Sequence, residues 1–302
     1  MDKFRAQSTF FNVAAILAVL LSSFSEALRP QTIFLPLIFA VLLLGVPHGS
    51  FDTVYARKLF QLKTPFAWFC FVSSYLFFTL LVFFIHQFYP RIFMGLFLLG
   101  STIHFSEDYK TDASGLTRFF YGGAIVVMPF LLHSAETIRI FSLLAPIATD
   151  QKTQQSLKTV SLFWAAGLAL AVLQCLYQKK PALGLTVFCL SALCIFCPPL
   201  LAFSIYFCLM HSPRHILRTL ELSSNHLKKE IFLLWLAPTA FVLSTFCAAL
   251  FKWDGFLAND TLLPVIFIAL AALTVPHMLI LKKFEKWNLG RPKGISSLRA
   301  QV

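Results

Sequence analysis

A chain of 302 residues that is 58% hydrophobic and only 13% charged is too apolar for a soluble globular protein. No polar stretch is longer than about 25 residues, which leaves no room for a separate soluble module. The net charge of +12 would suit nucleic acid on a soluble protein, but here the basic residues fall in short loops between apolar runs, as membrane topology requires, and nucleic-acid binding is excluded.

Taken in chain order, apolar windows about as long as a bilayer crossing fall at 8–24, 31–47, 66–86, 88–105, 117–133, 158–177, 182–197, 199–211, 231–251 and 261–281. They predict an all-α, polytopic integral-membrane helix bundle of about ten transmembrane helices, eight to ten allowing for the short windows, in a single domain over 1–302. Residues 1–25 are a first span that also resembles a signal peptide, with a basic start, an apolar core and a small-residue end. The apolar piece at 138–148 is too short to cross, and residues 282–302 form a basic tail. The seven cysteines lie mostly inside apolar runs, where they pack as small hydrophobes. With the N-terminus inside, 19 of the 25 Lys and Arg fall in inside loops or the tail. This asymmetry predicts cytoplasmic N- and C-termini in a multi-pass protein of the inner (cytoplasmic) membrane.

That topology has a chemical consequence. His48 closes the second window, His104 the fourth, His211 and His215 the eighth, and His277 lies near the inner end of the tenth. All five are predicted on the cytoplasmic side, whereas His86 and His133 fall at outer ends and His226 in a loop. A lone histidine at a helix end is ordinarily an interfacial polar tip. Five on one side point to a shared site, because ionisable groups in membrane segments are costly and tend to be functional. In "HSPRH" His211 and His215 are four apart, the spacing that lets two imidazoles on one helix face hold one metal, although Pro213 between them interrupts a regular helix. Asp52 follows His48 by four residues and Asp108 follows His104 by four, so each carboxylate is predicted to stack one turn on and take a ring N–H. With Glu107, these are either the carboxylates that orient the histidines or solvated loop charges. Arg214 and Arg218 read as positive-inside anchors. Gly45 and Gly49 suit close approach around His48.

Imidazole suits iron, zinc, copper and nickel alike. A thiolate-free site opening from the bilayer fits Fe(2+) used with O₂ better than structural zinc, while zinc-assisted hydrolysis stays open as chemistry. A di-iron desaturase or hydroxylase would call for more histidines. A non-enzymatic bis-histidine haem or metal carrier would instead place a pair at matched depth or polar groups at the midplane. The 35 phenylalanines suit lipid contact and also an elongated tunnel for a polyene.

Four motifs, "GVPHGSFD" at 45–52, "HFSEDY" at 104–109, "HSPRH" at 211–215 and "VPHM" at 275–278, resemble in order and setting those of the Brp/Blh family of membrane-embedded β-carotene 15,15'-dioxygenases. The resemblance extends along nearly the whole chain. It implies iron-dependent cleavage of β-carotene by O₂ at the central double bond, giving two molecules of all-trans-retinal, with an opsin as a receiver of the product. It also implies that His48, His104, His211 and His215 are the iron ligands, with His277 a fifth ligand or a residue lining the site.

Overall fold

The computed structural model describes residues 3–24, 30–146, 150–222, 228–252 and 259–289. Among them there are thirteen α-helices and no strand. They are α1 (Lys3–Phe24), α2 (Pro30–Ser50), α3 (Asp52–Phe60), α4 (Pro65–Phe88), α5 (Pro90–Ser106), α6 (Gly115–Val127), α7 (Ser134–Ser142), α8 (Gln151–Tyr177), α9 (Pro181–Phe196), α10 (Pro199–Tyr206), α11 (Ser212–Leu222), α12 (Lys228–Lys252) and α13 (Asn259–Leu289). Five of them begin on proline, whose fixed φ suits the first helical turn and whose missing N–H would have no partner there. Side-chain caps start others: Ser114 accepts from the Thr117 amide and Asp150 from the Thr153 amide.

Each of the ten apolar windows falls on a helix. By length and apolarity, however, five described helical stretches can cross a membrane, or six if the bent pair of α6 with α7 is one span. The 16 residues of α9 cover only ~24 Å, short of a ~30 Å hydrocarbon layer. The chain bends by 103° between α6 and α7, in the break between Phe130 and Ser134, so the apolar piece near 138 is a short helix returning against the bundle. The eighth window becomes longer than expected: α10 continues through a π turn at Phe207–His211 directly into α11. His211 and His215 therefore lie inside a continuous helical run. The segment expected as a basic tail begins as helix, since α13 runs to Leu289, with Phe284 packed on Tyr55 and Lys110 paired with Glu285. Residues 290–302 and His226 lie outside the described residues.

The outer surface suits lipid. Helix α4 turns Phe66, Phe69, Phe77, Leu80, Phe83 and Phe88 outward, each more than half exposed. Inside, α1 packs on α9, α9 on α8, α8 on α6 and α6 on α5, around a core that includes Phe11, Tyr121, Trp164, Leu190 and Tyr206. Helix α12 packs on α2, and α13 on α4 and α3. All seven cysteines are free thiols, and four of them sit within the first core, in keeping with packing.

Helices α5 and α6 approach backbone to backbone. A Cβ on Gly122 would lie 2.2 Å from the Thr102 carbonyl oxygen and 2.7 Å from the Ser106 amide nitrogen, so only glycine lets α6 lie this close to the turn that carries His104. Gly122→Ala is expected to destabilise the bundle by about 1–3 kcal/mol, as overpacking does. Denaturant unfolding in detergent checks this, and unchanged stability would show that the two helices can separate freely.

Candidate metal centre

The five histidines expected on one side meet in one buried cluster, each no more than 7% exposed. His48 comes from α2, His104 from α5, His211 from the π turn, His215 from α11 and His277 from α13. The His48 ring lies at the middle, with centroids 4.4 Å from His215, 4.6 Å from His277, 4.8 Å from His211 and 5.8 Å from His104. His86 and His133 are elsewhere. The His86 ring packs on Phe93 and its Nε2 is 3.1 Å from the Leu144 carbonyl, while His133 precedes α7.

Local backbone irregularities aim these groups. Helix α2 ends at Ser50 and α3 restarts at Asp52 after a turn at Phe51; α5 passes into a 3-10 turn at Glu107–Tyr109; and the π turn inserts a residue before His211. Each break changes the angular phase of the side chains that follow. For that reason the carboxylates do not pair with the histidines four residues before them. Asp52 Oδ1 is instead 2.6 Å from His277 Nδ1, and Asp108 Oδ1 is 2.9 Å from His211 Nδ1. A carboxylate can only accept, so both rings donate from Nδ1 and keep the lone pair on Nε2, facing the cluster. Glu107 takes no part in these bonds.

The sequence pattern did not reveal what holds the carboxylates. Tyr75 Oη donates to Asp52 Oδ2 at 2.9 Å, and Tyr206 Oη donates to Asp108 Oδ2 at 2.7 Å, with Tyr121 Oη at 3.4 Å. The available signal was a tyrosine inside an apolar span, which needs a partner for its hydroxyl. Arg214 was expected as a surface anchor, yet it is 3% exposed. It donates from Nη1 to the Asp108 carbonyl at 3.1 Å and stacks on Tyr109. Arg218 donates to the same carbonyl. Of the two glycines before and after His48, only Gly45 is crowded, since a Cβ there would lie 2.8 Å from the Phe207 ring. Gly49 has open space beside it.

Four buried ring nitrogens in the cluster have no hydrogen-bond partner: His48 Nδ1, His104 Nδ1, His215 Nε2 and His277 Nε2. Buried polar atoms are ordinarily paired, and an orphan asks for a ligand or ion. Ligand atoms of His48, His104 and His277 lie within 4.8 Å of one another, as do those of Asp52, His215 and His277. His104 Nε2 and His211 Nε2 are 3.0 Å apart, the separation of two neighbouring nitrogens each about 2.1 Å from a shared metal. The donor set therefore fits a divalent transition metal: imidazole nitrogens inside, carboxylates on the outer ring nitrogens, and no thiolate.

An elongated cavity of about 860 Å³ adjoins the cluster, with His48, His104 and His277 in its wall. It is near the upper end of the ~300–1,000 Å³ typical of small-molecule sites. It follows α13 from His277 back to Leu262, roughly 22 Å of helix. Apart from the histidines, Asp52, Tyr75 and a few serines and threonines, its lining is apolar. Leu76, Phe241, Val265 and Leu273 belong to the lining and are also exposed, so the cavity is open along α4, α12 and α13. Among the described residues α12 and α13, although consecutive, hardly touch.

The family model described as "Beta-carotene 15,15'-dioxygenase" matches residues 39–285. A protein of uncultured marine bacterium 66A03, named "Beta-carotene 15,15'-dioxygenase", is 28% identical over 258 residues, covering 80% of this chain and 90% of its own. No solved structure matches the chain.

Asp52→Asn and Asp108→Asn are each expected to weaken divalent-metal affinity about 10–100-fold, the usual effect of removing a carboxylate behind a metal-bound histidine. Competition against a chromogenic chelator measures this. Undiminished affinity in both variants would mean that the rings hold their orientation without the carboxylates.

Proposed function

The chain belongs to the β-carotene 15,15'-dioxygenase family, and from that premise we propose that it cleaves β-carotene at the central 15,15' double bond with O₂, yielding two molecules of all-trans-retinal. The observation that carries this reading is the cluster of buried imidazoles with partnerless ring nitrogens, set in the wall of an open apolar cavity. Atoms balance without another reductant: one C40 polyene and one O₂ give two C20 aldehydes, each with one oxygen.

His48, His104, His211 and His215 are the residues we assign to hold Fe(2+), with His277 as a fifth ligand or as a ring that lines the site. Iron bound there supplies the O₂ activation that a closed-shell polyene cannot provide for itself. The protein's part is placement. Asp52 and Asp108 hold His277 and His211 in the tautomer that keeps Nε2 unprotonated. The apolar lining takes the polyene from the bilayer, excludes water, and lays a chosen double bond beside the rings, so position decides which bond breaks. Tyr75 and Asp52, both in the cavity wall, are hydrogen-bonded to one another.

We place the protein in the inner membrane with both termini cytoplasmic, so that the histidine end of the bundle faces the cytoplasm. β-Carotene and retinal both partition into lipid, and the lateral opening serves entry and exit. An opsin in the same membrane would receive retinal without an aqueous step.

Expression in β-carotene-producing bacteria is expected to bleach the cells and accumulate retinal, with His48→Ala abolishing both. Persistent colour beside well-expressed, iron-loaded protein would overturn the activity. One iron per chain supports a mononuclear dioxygenase, two would favour a desaturase-type centre, and a Soret band a haem carrier. Ala269→Trp, which fills the cavity along α13, is expected to lower turnover by about tenfold or more while metal content stays at the wild-type level, as filling a binding pocket without touching the metal centre requires. Wild-type turnover in that variant would place the substrate elsewhere.

A further inference from the structure

Residues 3–24 lie outside the stretch 39–285 that the family model matches, yet the polar end of α1 reaches the backbone that carries His211. The reason lies in Pro213. In a regular helix the Leu209 carbonyl would accept from the amide four residues on, and proline has no N–H to give. The chain answers with the π turn, in which the Ser212 amide bonds to the Phe207 carbonyl across five residues. The Gln7 side chain on α1 supplies the missing donor: Nε2 is 2.6 Å from the Leu209 carbonyl oxygen and 3.2 Å from that of Met210.

The amide of Gln7 is itself oriented. Arg214 Nε donates to Gln7 Oε1 at 3.3 Å, and Arg214 Nη2 donates to Ser8 Oγ at 3.0 Å. Ser8 Oγ lies 3.2 Å from Tyr109 Oη. The same guanidinium donates to the Asp108 carbonyl, and the Asp108 carboxylate holds His211 Nδ1. Gln7 and Ser8 thus grip His211 from two directions, through the π turn that bears it and through the arginine behind its carboxylate. The apolar face of α1 anchors this grip, with Phe11 and Ala15 fully buried in the core.

We propose that α1 is part of the reacting site, and that Gln7 is a positioning residue: its amide replaces the backbone donor lost at Pro213, stabilises the π turn and so fixes where the His211 imidazole points. Its effect on turnover rests on the reading of the histidine cluster as the carotenoid-cleaving centre, whereas its effect on the π turn does not. Without the clamp, the Leu209 carbonyl beside His211 loses the donor that Pro213 cannot give, in an apolar interior where it cannot turn to water. The turn then opens or shifts by a residue, and the ring moves off the cluster.

The test uses the full-length protein in detergent and two variants. Gln7→Met keeps the length and removes both donor and acceptor; Gln7→Glu keeps the acceptor for Arg214 and removes only the donor. Hydrogen exchange resolved by mass spectrometry over residues 207–215 is expected to quicken about tenfold in Gln7→Met, with the exchange of α8 and α9 unchanged, as local opening after loss of one buried hydrogen bond requires. Gln7→Glu is expected to quicken it as well, because a carboxylate holds Arg214 but cannot donate to the turn. With β-carotene as substrate, kcat of Gln7→Met falls by a similar factor while KM holds, because the cavity is untouched. Wild-type exchange over 207–215 in Gln7→Met overturns the clamp. Faster exchange with wild-type kcat overturns its role in positioning His211. If the wild-type protein proves inactive on carotenoids, the activity reading fails and the exchange comparison still decides the clamp.

Discussion

Five imidazoles in an apolar helix bundle impose the constraint on which the rest of the structure depends. An unpaired polar group in such surroundings costs several times what a hydrogen bond is worth, so each ring needs either a protein partner or an ion. Asp52 and Asp108 satisfy one nitrogen of His277 and of His211. Two carboxylates at membrane depth need partners in turn, and Tyr75, Tyr206 and Tyr121 supply them. On the five rings, what remains unpaired is His48 Nδ1, His104 Nδ1, His215 Nε2 and His277 Nε2.

The same constraint accounts for where the backbone departs from regular helix. The turn at Phe51, the 3-10 turn at Glu107–Tyr109 and the π turn at Phe207–His211 each lie beside a histidine or aspartate of the cluster. Irregular backbone at membrane depth is tolerable only where protein covers it, and these turns are covered by α1, α6 and α11. Packing tight enough to do so relies on close approach, as at Gly122, where α6 meets the last turn of α5. The polar centre and the packing around it are therefore one design: loosen the helices and both the carbonyls and the carboxylates lose their shelter.

On the other side of the cluster the requirement reverses. The cavity wall offers few polar groups, and it is continuous with the exposed surface through residues of α4, α12 and α13. A ligand that enters this way gives up no hydration, so dispersion contacts and shape govern its placement, with the histidines at one end as the polar feature it meets. Arg214, in contrast, works entirely behind the centre: its guanidinium joins α1 to the Asp108 turn without reaching the cavity.

Much of this was legible in the residues alone. Apolar windows located the helices because a bilayer-length hydrophobic run has few alternatives, and the charge asymmetry placed five histidines at one level because helix ends define depth. Motif resemblance named the family that the family model also identifies. The number of crossings was less accessible, since a hydropathy window does not report a bend such as the 103° between α6 and α7, on which it depends whether the pair is one span. The pairing of Asp52 with His277 rather than His48, and of Asp108 with His211 rather than His104, could not be read from spacing. Spacing reports neighbours only along an unbroken helix, and every one of these partners sits beyond a break. The roles of Tyr75, Tyr206, Gln7 and Arg214 depend likewise on contacts between segments up to 207 residues apart. Sequence by itself determined which side chains must leave water and at what depth; the tertiary structure decided which of them satisfy one another, because buried polar groups pair by proximity in space and orientation, which no local pattern encodes.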